Sequence, residues 1–461
     1  MKSITTLEFT SWLEQFINFE RWPQKEILNL QNMLLCASHF GNPQNAYKSV
    51  HIAGSKGKGS CSVMISSILS AYGFKTGLYT SPHVMDFRER VSLAGTFFSD
   101  DAYSKAYTKV MQGFEVLQKE VPSLDPSWFE IVTLLAFLIF KDEGCLWGVF
   151  ETGMGGRLDT TNVLLPECSV LTPIELEHCQ YLGNTKEKIA GEKAGIIKSG
   201  KPVFCSEQED DVLKVFIDRA EQMQSPFFYL PNMLDGEIEA TPSLSGLEVS
   251  FSFKHSSSSP SFKRPIKVRL AFIDTVQAKN AALAALVTKH LIGEIDEETI
   301  ERGLSFAWLP GRFEVLSLNE PLVIVDGAHT EKSISYCVET YRQVSNQKKA
   351  ILLFACADDK ETQAIAPLFS DVVNKIYITI PGTFKKSNIT KTSQDFQAFY
   401  KNKGIECISS IDYQNVIRTS FEVARNANVP LLITGSFYLV AEAKKIISPL
   451  CEKAESMEMG S

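Results

Sequence analysis

The chain has 461 residues, too many for one ordinary hydrophobic core, so two domains are expected. It is 44% hydrophobic and 22% charged, which excludes a disordered or fibrous chain. Its 46 basic residues against 54 acidic ones give a net charge of −8, with no global basic footprint for nucleic acid.

Residues 5–40 are expected to be helical, with Leu7, Trp12, Leu13, Phe16 and Ile17 at helical spacing. Glu8 and Glu14 stand where a signal peptide would be apolar. Residues 49–70 then read SVHIAGSKGKGSCSVMISSILS: a short apolar run, a glycine-lysine loop and a helix-period pattern starting near Ser60. Gly54, Gly57 and Gly59 let the backbone turn tightly and bring N–H groups to phosphate oxygens. The helix start adds free N–H groups and a positive dipole end, and Lys58 a full charge. The usual G-x-x-x-x-G-K-[ST] spacing would need glycine in place of Ile52 and Ser or Thr in place of Gly59, so this is a compact variant.

Further on, 77–83 is expected to be a strand running into a loop, and 100–118 and 127–142 helices, the second largely apolar and buried. Its apolar run 131–140, interrupted by Thr133, is about half the length of a membrane span. Strand 146–151 leads into TGMGGRLDTTN, and strand 168–174 into ELEHCQYLGNTKEKIAGEKAGIIKSG. Short strands over 226–272 suggest a β-rich appendage, with an exposed polar loop at 255–261. Helix 275–291 closes the first domain, and the charged stretch 293–299 marks a junction, dividing the chain into 1–292 and 293–461. The remainder alternates strands and helices as a second, smaller α/β domain. Ten scattered cysteines without a C-x-x-C pair read as reduced thiols of a cytoplasmic enzyme.

Ligands gather at the carboxyl ends of strands in such sheets, so Ser55–Ser60, Thr80–His83, Glu151 and Glu175–His178 are expected to converge. By residue type alone, Glu151 reads as a solvated strand end or as an Mg²⁺ ligand. His178 reads as a surface or capping residue or a ligand, and Lys193 as a solvated helical lysine. In the second domain Asp326-Gly-Ala-His329 follows the strand LVIV, and Arg312 stands beside a Pro-Gly turn, suited to clamping a phosphate.

The motifs GSKGKGS, YTSPH, SWFE, FETGMGGRLDTTN, LEHCQYLGNTKEKIAGEKAGIIK, QAKNAALAAL, LPGRFEV, DGAHT and TGSFYLV resemble, in this order, the Mur-ligase-like ATP-dependent amide ligases. Among these the chain is most similar to the folylpolyglutamate synthase family and its bifunctional dihydrofolate synthase relatives, over about residues 50–440. The resemblance implies an N-terminal P-loop-containing parallel-sheet ATPase domain of the Mur-ligase central-domain type, with the β-rich appendage, and a smaller C-terminal Rossmann-like α/β domain. It implies nucleotide contacts at Gly54, Ser55, Lys56, Gly57, Lys58, Gly59, Ser60, Asn280, Arg312 and Asp326. It implies one or two Mg²⁺ ions on Ser81, Glu151, His178 and a carbamylated Lys193, carbamylation turning a cation into an anionic oxygen ligand. The pterin-bearing substrate would sit on Ser127, Trp128, Phe129 and Glu130 and on Leu158, Asp159 and Thr160; Lys58, Lys193 and His329 would be the catalytic groups.

Three departures stand out: Glu177 replaces the usual Asp before the ligand His, FIDTVQAKN lacks the Gly and His often seen before Asn280, and Thr160 stands where relatives vary. The implied reaction is two-step. A substrate carboxylate takes the γ-phosphoryl group of ATP, and the amine of L-glutamate displaces phosphate from the acyl phosphate. A monomer is expected, acting on ATP, L-glutamate and dihydropteroate or tetrahydrofolate, with one site for both favoured. Nucleic-acid and membrane partners are not expected. Arg312 and Asp326 suggest that ATP is completed only on domain closure. The competing readings are a Mur-type ligase for a cell-wall precursor and an ATP switch or kinase without ligase activity.

Overall fold

The apolar run ahead of the glycine loop is strand β1 (Lys48–Ala53), buried at every residue but Lys48, as befits a central strand covered on both faces. It belongs to a seven-stranded sheet with β2 (Thr76–Tyr79), β3 (Val91–Leu93), β4 (Trp147–Glu151), β5 (Cys168–Leu171), β6 (Val203–Cys205) and β7 (Phe227–Tyr229). The order is β3-β2-β4-β1-β5-β6-β7, parallel throughout except for the antiparallel edge pair β2–β3. β1 is the strand at which the order reverses: β4 and β2 lie on one side and β5 to β7 on the other. In open α/β sheets ligands gather at the carboxyl ends of strands at such a switch point, and the glycine loop begins there.

The computed structural model describes residues 3–18, 29–255, 262–319 and 321–458. Over the stretch expected to be helical from 5 to 40, helices form at Thr6–Leu13 and Gln31–His39, while 19–28 lie outside the described residues. The Ser-rich segment 256–261 also lies outside them. Helix Trp128–Asp142 is buried almost all round, because its residues are apolar on every face.

The β-rich appendage is smaller than expected. Residues 227–229 are the seventh strand of the main sheet, in parallel register with β6. What remains is a three-stranded sheet of β8 (Glu239–Ser243), β9 (Gly246–Phe251) and β10 (Ile266–Leu270) in the order β10-β9-β8.

The chain divides into two compact units. The first holds Met1–Glu239, Val249–Leu270 and Gln277–Trp308, and the second Ala240–Glu248, Ala271–Val276 and Leu309–Ser461. The junction drawn at 292/293 is thus corrected to 308/309. Helix Glu297–Phe306 belongs to the first unit because Gly303 lies against the backbone of Ile68, where a Cβ would stand 2.4 Å from the Ile68 Cα. The second unit has a six-stranded sheet of β11 (Glu314–Ser317), β12 (Val323–Val325), β13 (Ala350–Phe354), β14 (Val373–Ile378), β15 (Glu406–Ser409) and β16 (Leu431–Thr434). Its order is β11-β12-β16-β13-β14-β15, with only the β11–β12 pair antiparallel. Both units are therefore α/β, as expected.

Candidate active site

The glycine loop leaves β1 at Gly54 and enters helix Lys58–Ala71, whose start lies two residues before the expected Ser60. Gly57 is the N-cap with φ 81° and offers no side-chain cap, so no capping side chain occupies the first-turn N–H groups. Gly59 and Ser60 are buried in that first turn. The loop is pinned from below: the N–H groups of Ser55 and Lys56 donate to the Pro173 carbonyl at 2.9 and 3.2 Å. Ser55 Oγ donates to the Glu175 carbonyl at 3.0 Å, and Lys58 Nζ to the Gly54 carbonyl at 2.9 Å. Neither glycine tolerates a side chain. A Cβ on Gly54 would stand 1.8 Å from Thr172 Oγ1, and one on Gly57 2.8 Å from Asn280 Oδ1. Asn280, on helix Val276–Ile292, is thereby placed against the loop, held by its own bond to Gln277 at 3.0 Å.

Lys193 is not the solvated lysine that its residue type suggests. It is 1% exposed, and its Nζ donates to the Gly54 carbonyl at 2.7 Å and to Glu177 Oε1 at 2.8 Å. Burial pulls its pKa down to about 8, against the opposing charge of Glu177. Burial works to raise the Glu177 carboxyl, but the charges of Lys193 and Lys58 outweigh it and bring it down to about 2. The loop, Lys58, Lys193 and Glu177 thus form one contiguous cluster. The reach of Glu177 was visible in the sequence only as an odd Glu for Asp.

Glu151 ends β4 with 4% exposure, and its Oε2 accepts from the Ser81 N–H at 3.1 Å, bringing the YTSPH loop to the same sheet end. His178 is exposed and holds a left-handed backbone (φ 47°) at the start of helix Cys179–Leu182, a conformation that costs free energy for a non-glycine residue. Among the described residues, no three His, Cys, Asp or Glu side chains are gathered into a metal cage. Mg²⁺ commonly takes one or two protein carboxylates and completes its shell with phosphate and water. The hard oxygens of Glu151 and Ser81 fit that chemistry. Lys193 fits it only as a carbamate, because an ammonium has no lone pair to give.

The expected pterin segments divide by role. Ser127 and Glu130 form a capping box at the start of helix Trp128–Asp142. Glu130 Oε2 accepts from the Ser127 N–H at 2.7 Å and from its hydroxyl at 2.8 Å, and Ser127 Oγ accepts from the Glu130 N–H at 3.3 Å. Between them Trp128 lies under the Arg90 guanidinium, 4.7 Å from its ring centre, and Phe129 packs against Gly153 and Tyr79. Asp159, buried, ties the glycine turn together by accepting from Met154 N–H at 2.9 Å and from the N–H and hydroxyl of Thr161. Burial raises its pKa. Leu158 and Thr160 flank it, both half-buried. His51 of β1 reaches the same turn through its Nε2, 2.7 Å from Thr161 Oγ1.

In the second unit Asp326 follows β12. Its two carboxylate oxygens accept from the Ala328 and Phe313 N–H groups, each at 2.7 Å. Burial raises its pKa to about 6; Asp274 adds to the rise, while those N–H groups and the Arg312 charge oppose it. The Arg312 guanidinium lies 4.0 Å from the centre of the Phe437 ring. His329 Nδ1 is 2.8 Å from the Gly327 carbonyl, so Nδ1 carries the hydrogen and donates it.

The chain is similar to known proteins along nearly its whole length. Residues 311–437 match the family described as Mur ligase, glutamate ligase domain. The dihydrofolate synthase/folylpolyglutamate synthase of Bacillus subtilis (strain 168) is 32% identical over 442 residues, spanning 94% of this chain and 97% of that protein. The crystal structure of folylpolyglutamate synthase from Thermotoga maritima matches with a TM-score of 0.79 and 27% identity, over 96% of this chain and 97% of that one. An FPGS solved as a complex with AMPPCP and folate matches with a TM-score of 0.78 and 26% identity, over 96% and 100% of the two chains. The chain belongs to the folylpolyglutamate synthase/dihydrofolate synthase family of Mur ligases.

Proposed function

We infer that this chain is an ATP-dependent ligase that joins L-glutamate to a folate-type carboxylate through an acyl phosphate. The observation that carries this is the 32% identity to the bacillary dihydrofolate synthase/folylpolyglutamate synthase over nearly the full length of both proteins. That same relative favours one site serving both dihydropteroate and tetrahydrofolate.

In the first step an oxygen of the substrate carboxylate attacks the γ-phosphorus of ATP and ADP leaves. In the second, the glutamate amine attacks the acyl carbon, phosphate leaves, and the nitrogen loses a proton. No covalent enzyme nucleophile is needed. Catalysis is positioning and neutralisation of charge on the transferring phosphoryl group. Residues 54–60 offer backbone N–H groups and Lys58 its charge; Asn280, Arg312 and Asp326 are the further nucleotide contacts. Ser81, Glu151, His178 and a carbamylated Lys193 would hold Mg²⁺, which when bound adds charge neutralisation at the phosphates. Trp128, Phe129, Leu158, Asp159 and Thr160 hold the pterin, with Ser127 and Glu130 acting on it only through the cap. His329, its ring oriented by the Nδ1 hydrogen bond to the Gly327 carbonyl, is the group we assign to the glutamate-ligation step. We place the enzyme in the cytoplasm as a monomer; among the described residues no helix is long and apolar enough to cross a membrane.

Phosphate release from ATP that requires both a pterin acid and glutamate is the deciding assay; release without that double dependence overturns the ligase reading. Separate assays with dihydropteroate and with tetrahydrofolate monoglutamate decide bifunctionality, which no product from dihydropteroate would refute. Mass spectrometry in bicarbonate tests Lys193: an unmodified amine, together with full activity of Lys193→Ala, rules the carbamate out.

A further inference from the structure

Thr133 interrupts the apolar run of helix Trp128–Asp142 and is fully buried. Its Oγ1 has three partners: the Phe129 carbonyl at 2.8 Å, Tyr79 OH at 2.9 Å and Thr160 Oγ1 at 2.6 Å. A hydroxyl owns one hydrogen and two lone pairs. The carbonyl can only accept, so the Thr133 hydrogen is committed to Phe129. Both lone pairs then receive, and Tyr79 and Thr160 must each donate to Thr133. The polarity of Thr160 follows. Its hydrogen is spent inward, Thr133 is its one side-chain partner among the described residues, and what this half-buried hydroxyl retains is lone pairs.

We propose that Thr160 is a specificity residue that accepts a hydrogen bond from an N–H of the pterin-bearing substrate, and that Thr133 is the positioning residue that holds it in that polarity. This rests on the reading that residues 158–160 hold the pterin. A ligand offering a bare ring nitrogen at that point would set lone pair against lone pair and be rejected, whereas an N–H would be read.

The test uses the full chain with dihydropteroate, saturating ATP and glutamate. Thr160→Val, which keeps the shape and removes the hydroxyl, should raise the dihydropteroate KM by about tenfold or more, as for loss of a hydrogen bond. Its kcat should stay within about threefold and its ATP KM should not move. Thr160→Ser should restore the KM to within about threefold of wild type. Thr133→Val should raise the same KM, and adding it to Thr160→Val should cost nothing further, since it acts through Thr160. Equal losses in Thr160→Val and Thr160→Ser, a Thr160→Val KM within about twofold of wild type, or additive losses in the double variant would overturn the proposal. The two Thr160 variants carry the test if the buried Thr133→Val does not fold. A wild-type chain without pterin-dependent phosphate release would instead overturn the ligase reading itself.

Discussion

The glycine loop proposed to grip phosphate and the turn proposed to hold the pterin lie at the same end of one sheet and are built in opposite ways. The loop 54–57 is held through its own backbone: two N–H groups on one Pro173 carbonyl, two lysine ammonium groups on the Gly54 carbonyl, and glycines where a Cβ has no room. The turn 158–161 is held through side chains, with Asp159 on Thr161, Thr161 on His51, and Thr160 on Thr133. A backbone site tolerates almost no addition at its glycines and offers the same N–H groups to any nucleotide. A side-chain site can be retuned one hydroxyl at a time, which is how one architecture can grip a constant co-substrate and discriminate among variable ones.

If that contrast is right, Gly54→Ala has the largest effect of any single methyl. Forcing Cβ onto Thr172 should lower kcat/KM for ATP by at least about 100-fold, with the pterin KM little changed. A variant within about tenfold of wild type in ATP kinetics would break the comparison. Lys58→Met removes charge but leaves the loop's shape, and kcat should fall by about 10–100-fold with a smaller rise in ATP KM. An equal rise in KM at unchanged kcat would make Lys58 a plain binding residue.

His51 joins the two regions, and its prediction concerns stability. Buried and neutral, it has its pKa lowered to about 3, while the unfolded chain takes up a proton near pH 6.5. Stability is therefore lost as pH falls below that of the free imidazole. Between pH 6.5 and 5 the loss from this one group is about 2 kcal/mol. Denaturant unfolding of wild type and His51→Asn at both pH values checks it: the variant should show a flatter acid slope, and parallel slopes would refute the assignment. The smallest effect is expected at Ser127→Ala, which breaks the capping box and should cost about 1 kcal/mol in denaturant unfolding. The pterin KM should stay within about twofold, whereas a large KM change at constant stability would return Ser127 to the substrate site.

S-W-F-E carries an S-x-x-E pattern ahead of an apolar run, the signature of the capping box found there, while the resemblance implies Ser127 and Glu130 as substrate contacts. β6 was not legible. It is three residues long behind Pro202, and its pairing with β5 and β7 makes it a strand. The same pairing moved 227–229 from the appendage into the main sheet. Helix Glu297–Phe306 begins in a charged stretch that reads as a linker, and its packing on helix Lys58–Ala71 and on β10, tightest where Gly303 meets Ile68, assigns it to the first unit.

By itself the sequence determined what is local and contiguous: the strand–glycine loop–helix grip, the alternation that makes two α/β units, and the ordered motifs of an amide-ligase family. These follow from backbone permissiveness and hydrophobic period, which act over a few residues. Only the tertiary structure decided that Lys193 is buried against Glu177 and the Gly54 carbonyl, and which way the hydroxyls of Thr133 and Thr160 are turned. Charge state and hydrogen-bond polarity depend on partners up to 139 positions away in the chain, and no local pattern encodes who those distant partners are.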